Sequence, residues 1–158
     1  MAELTRLEDS VGGEGMETFI LERSNNMPVR LTGAKLAEAS SQEFSDRLQR
    51  WYELTLYRSE KGKYALHIAF KSKFLDKRNQ RIEADHFSVL SGETTNEILE
   101  KLEAFNPVAP IVGYLPGTLN REEKQKALED DIRGKFERII GLVFARASEN
   151  NPDIAEEL

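Results

Sequence analysis

Apolar and polar side chains alternate most cleanly between residues 51 and 74. Residues 51–59 and 63–74 follow the period of 2 that marks a half-buried strand, with Glu60, Lys61 and Gly62 between them. A three-residue loop ending in Gly suits a type I turn closed by a glycine bulge, because Gly accepts the left-handed backbone. That loop length predicts the register: Leu56 opposite Leu66, Leu54 opposite Ile68 and Tyr52 opposite Phe70. All six lie on one apolar face, and a slip of one residue would turn them to the other side. Weaker strand signals flank this hairpin. Residues 18–23 form a short β-type run, 24–28 carry turn chemistry, and 29–32 alternate as a strand should. Residues 33–39 read equally as strand or helix, 40–46 as a polar connection, and 76–80 as a polar turn. Residues 82–90 supply a third member of the meander.

Beyond residue 93 the period changes. Thr94, Thr95, Asn96 and Glu97 have the spacing of a capping box, and Ile98, Leu99, Leu102 and Phe105 mark one helical face that ends at Asn106–Pro107. Residues 106–118 form a proline-rich loop whose Ile111, Val112, Tyr114 and Leu115 predict packing against the body. A long helix follows over 121–147, with Asn120 as its cap and Leu128, Ile132, Phe136, Ile139 and Val143 as its core stripe. Acid-first pairs four residues apart, such as Asp131 and Lys135, support it. Strands first and helices afterwards predict an α+β fold: an antiparallel β-meander of four to five strands, followed by one short and one long helix packed on one sheet face.

Composition narrows the setting. At 158 residues, 39% hydrophobic and 32% charged, the chain is sized for one globular domain. Residues 1–16, rich in glycine and acids, read as a flexible lead, 17–148 as the domain, and 149–158 as a frayed acidic tail. There is no cysteine, which excludes disulfides, thiolate metal sites and cysteine nucleophiles. No basic segment followed by an apolar run opens the chain, and no run is long enough to span a bilayer. A cytoplasmic protein without membrane contact is the expectation.

Charge adds a second pattern. The whole chain carries −6, yet residues 47–81 hold ten Lys and Arg against three acids, a net +7, leaving −13 for the rest. The hairpin register places Trp51 opposite Lys71, Thr55 opposite His67 and Tyr57 opposite Ala65 on the non-core face, which Lys63 and Lys73 share. Rings set between cations stack on bases while the cations neutralise phosphates, so this face is a candidate partner surface, adjoined by Lys77, Arg78 and Arg81. The plainer reading is a solvated or helix-covered sheet face. A second candidate lies on the long helix. Ala127, Gly134, Gly141 and Ser148 recur every seven residues opposite the core stripe, and with Phe144 they predict a surface for self-association or a partner.

Catalytic signatures are weak. His67 and His86 have no metal-ligand spacing, and Glu83 and Asp85 lack a third acidic ligand. The glycines at 12, 13 and 15 precede the first strand and lack the Lys-Ser/Thr of a phosphate loop. No cofactor or metal is expected. The sequence therefore predicts a small non-enzymatic binding or regulatory protein that docks to a macromolecule, protein or nucleic acid, through the hairpin face, with the C-terminal helix available for homo-oligomer formation. A nucleic-acid-binding accessory protein is the first alternative. An enzyme with a site assembled from scattered polar residues is the second.

Overall fold

A computed structural model describes residues 16–44, 50–72, 74–75, 78, 81–82, 85–109 and 121–151. Among these residues seven strands, β1 (Glu17–Leu21), β2 (Val29–Ser40), β3 (Arg50–Ser59), β4 (Tyr64–Ser72), β5 (Phe74–Leu75), β6 (Arg81–Ile82) and β7 (His86–Gly92), precede two α-helices, α1 (Thr95–Ala104) and α2 (Arg121–Asn150). Five strands form one antiparallel sheet in the order β1-β2-β3-β4-β7, and β5 and β6 pair separately. This is the expected α+β meander, with both helices packed on one face.

The central hairpin has the predicted register throughout, from Arg50 opposite Ser72 to Arg58 opposite Tyr64. Gly62 closes its turn at φ +85°, and Ser59 N–H donates to Lys63 O (2.7 Å). Tyr52, Leu54, Leu56, Leu66, Ile68 and Phe70 point to one side. There they meet Ile98 and Leu102 of α1 and Ile132, Phe136, Ile139, Val143 and Ala147 of α2. Apart from Leu99, which stays exposed, the stripes that the spacing predicts pack into this joint core, the main apolar burial among the described residues. Thr94 caps α1 by accepting from Glu97 N–H (3.2 Å). Glu97 reaches back one residue further than a capping box requires, to Glu93 N–H (2.9 Å). Tyr52 ties the sheet to the chain beyond α1, donating its hydroxyl to Pro107 O (2.5 Å), and burial raises its pKa.

Several boundaries differ from the sequence reading. The ambiguous residues 33–39 are strand, because β2 runs on to Ser40 and ends in a capped 3-10 turn, Ser41–Glu43. A β-bulge at Leu36 hides this in the sequence: Lys35 lies opposite Tyr57 but Ala37 opposite Leu56, so the extra residue reverses which positions face the helices. The long hairpin strand stops at Ser72, and the third meander strand begins at His86 and not at 82. Residues 81–82 pair instead with 74–75. Helix α2 extends to Asn150, so 149 and 150 belong to it and not to a frayed tail. The N-terminal lead, the proline-rich loop from 110, Asn120 and the tail from 152 lie outside the described residues.

The sheet curls. Beyond β1 the chain reaches the opposite edge: Ser24 N–H donates to Phe87 O (2.9 Å), and Phe87 N–H donates to Ser24 Oγ (2.8 Å). First and last strands of the sheet therefore meet at one end. The curl encloses a second, smaller core of Leu21, Leu31, Tyr57 and Ala65, supported by Phe19, Val29 and Val89.

Candidate docking surfaces

At Tyr57 and Ala65 the non-core face of the hairpin lines the inside of this curl. Trp51 opposes Lys71, Thr55 opposes His67 and Tyr57 opposes Ala65, as the register predicts. What differs is access. Trp51 is 6% exposed, and its indole N–H donates to Glu53 Oε2 (2.8 Å). Tyr57 is 9% exposed, with the Phe19 ring 4.7 Å from its own. Burial, followed by the nearby Glu38, raises the Tyr57 pKa. His67 is half-buried, stacked on Phe87 at 5.8 Å, and its Nε2 lies 2.9 Å from the Glu22 carbonyl. Burial lowers its pKa against the pull of that hydrogen bond.

The described lysines of this face are engaged. Lys71 pairs with Asp85 (3.6 Å) and stands over the Phe87 ring (5.3 Å), while Lys63 pairs with Glu93 (3.4 Å). Arg78 is exposed in a turn. Arg81 sits opposite Leu75 in the small ribbon, and its side chain, like Lys73 and Lys77, lies outside the described residues. The fold thus brings Trp51, Tyr57, His67 and Lys71 to one face but encloses the rings and pairs the ammonium. The sequence did carry a signal of this. Phe19, Leu21, Val29 and Leu31 form an apolar set that the helices do not cover, and such a set needs a surface of its own.

On α2 the small residues Ala127, Gly134 and Gly141 are exposed, and a Cβ on either glycine would meet open space within this chain. Phe144 is half-buried against the main core together with Ile140 and Leu142. The apolar end of the helix therefore has a partner inside the molecule. Between α1 and α2 runs a groove of about 370 Å³ bordered by Leu99, Phe105, Pro107, Phe136 and Ile140, with Arg133 at its rim. At the end of β2, Arg146 of α2 grips Glu43 through two hydrogen bonds (2.6 and 3.0 Å) and donates to Glu38 O (2.8 Å). The guanidinium holds the Glu43 carboxyl below the usual carboxylate range. This contact fastens the last helix to the 3-10 turn. Among the described residues no group of three or more His, Cys, Asp or Glu could hold a metal ion, and no helix is long and apolar enough to cross a membrane.

One surface escaped the sequence reading. Among the described residues strand β1 is an edge, paired with β2 alone. Met16 (46%), Ile20 (57%) and Met27 (76%), on or beside it, are three of the four large apolar side chains left exposed among the described residues. The strand is five residues long and carries Glu17, but it has no Lys, Pro or bulge, three of the usual guards against strand addition. The other edge is better covered. Ser24 takes both backbone groups of Phe87, and Lys101 donates to Ser91 O. Compared with known proteins, the chain matches no protein-family model, no curated protein and no solved structure.

Proposed function

We propose that the protein is a non-enzymatic docking protein whose contact surface is the free edge of β1. The partner is an extended segment of another protein chain that adds to the sheet as a further strand and covers Ile20. The observation that carries this reading is the concentration of exposed Met16, Ile20 and Met27 around a strand that is an edge among the described residues and has no Lys, Pro or bulge. Main-chain hydrogen bonds would supply affinity, and the apolar side chains would supply selectivity. The hairpin face supports docking less well, because Trp51 and Tyr57 are buried and Lys63 and Lys71 already have carboxylate partners. The same pairing leaves fewer cations for the phosphates of a nucleic acid.

Ile20→Lys tests the proposal, since a side chain 57% exposed is replaceable without loss of the fold. The tagged chain, purified from its own cells, is expected to retain a partner that shields the amides of Glu17–Leu21 from hydrogen exchange. Ile20→Lys should release that partner, and Lys63→Glu should not. The reverse result, retention by Ile20→Lys and loss by Lys63→Glu, would return the contact to the hairpin face.

A further inference from the structure

We propose that residues 22–24 form a latch that holds the curled sheet closed, and that acidification releases it through His67. The latch consists of three hydrogen bonds between the chain following β1 and the strands at the far side of the sheet. Glu22 O accepts from the imidazole of His67 on β4, Ser24 N–H donates to Phe87 O, and Ser24 Oγ accepts from Phe87 N–H. A carbonyl oxygen only accepts, so His67 carries its proton on Nε2, and Nδ1 is the nitrogen left to titrate. Immediately behind the latch lie Leu21, Leu31, Tyr57 and Ala65. Four buried residues form a small core, and the loop it secures turns through a left-handed Asn25 (φ 60°) with Met27 exposed at its tip. Such a region opens more readily than the joint core under the helices.

Protonation of Nδ1 places a full charge on a ring that is half-buried and stacked on Phe87. The charged groups bearing on it come from each side. Glu22 on the latch and Glu53 on β3 favour the cation, and Lys71 on β4 opposes it. Asp85, preceding β7, is paired with that lysine. The loss of hydration on burial outweighs these attractions, so the closed form prefers the neutral ring. The sign follows. A group with a depressed closed-state pKa contributes its full stabilisation above the ordinary imidazole value of about 6.5, and loses it as pH falls through the closed-state value. Acid therefore favours the open latch, in which His67 is hydrated.

Hydrogen exchange on the full chain tests this, with rates corrected for intrinsic pH dependence. Between about pH 7.5 and about pH 5, protection at Ser24 and Phe87 should fall several-fold relative to Ile139 of α2. In His67→Gln the side-chain amide still donates to Glu22 O but does not titrate, so protection should not change with pH. An equal fall in His67→Gln, or none in the wild type, would overturn the proposal. Imidazole nitrogen shifts in the wild type give a reading that requires no variant. Nε2–H must be the neutral form, and a neutral ring protonated on Nδ1 would also overturn it.

Discussion

Phe136→Ala is expected to lower folding stability by about 3–5 kcal/mol, the range for deleting a large buried aromatic side chain. Phe136 is 3% exposed and stands where three parts of the fold meet. Its ring lies 4.8 Å from Tyr52 of the sheet in an edge-on arrangement and 5.4 Å from Phe105 beyond α1 in a stacked one. On α2 it continues the row of Ile132, Ile139 and Val143. Its removal would forfeit the transfer energy of the ring and leave a void that opens into the groove between the helices. Tyr52 would also lose the neighbour beside a hydroxyl that must still reach Pro107 O. Urea unfolding followed by circular dichroism measures the change. Gly134→Ala on the same helix is the control. It meets open space, so it should be neutral or stabilising by up to about 1 kcal/mol through helix propensity. Equal effects from the two changes would mean that α2 is not seated on the sheet as described.

Gly33→Ala is expected to cost about 2–3 kcal/mol, although it adds a single methyl group to a strand. A Cβ at this position would stand 2.0 Å from Arg58 O and 2.7 Å from Ser59 Cα. Both obstacles are backbone, so no side-chain rotation relieves the clash, and β2 and β3 must separate. The close approach occurs where the hairpin turn folds onto β2: Gly33 lies opposite Ser59, and Glu60 N–H donates to Thr32 O (2.8 Å). Thermal and chemical unfolding should show the loss, and amide exchange should place it in β2 and β3. A variant as stable as the wild type would show that the two strands do not approach so closely here.

The legible parts of this fold are those in which two local signals agree. In the central hairpin, loop length and apolar alternation specify the same pairing, and every pair from 50/72 to 58/64 follows it. For α1 and α2, the apolar spacing names the residues that end up buried, with Leu99 as the member left at the surface. Legibility fails at residues 33–39, and the reason is geometric. The bulge at Leu36 places Leu31 and Gly33 on one face but Ala37 and Ala39 on the other, so no single period describes the strand. The free edge of β1 was equally hidden, because whether a strand lies at an edge depends on its neighbours and not on its own residues.

The hairpin face shows where local reasoning stops. From the sequence alone follow the α+β class, the hairpin register, the stripes of both helices, and the fact that Trp51, Tyr57, His67 and Lys71 share a face. Each of these rests on the period of the backbone and on contacts a few residues apart. Only the tertiary structure decides what lies over that face. The curl brings Phe19 onto Tyr57 and Ser24 onto Phe87, across sequence separations that no local pattern encodes. A period tells which side chains point together. Burial depends on what packs against them, and for Tyr57 that is Phe19 of the first strand of the same sheet.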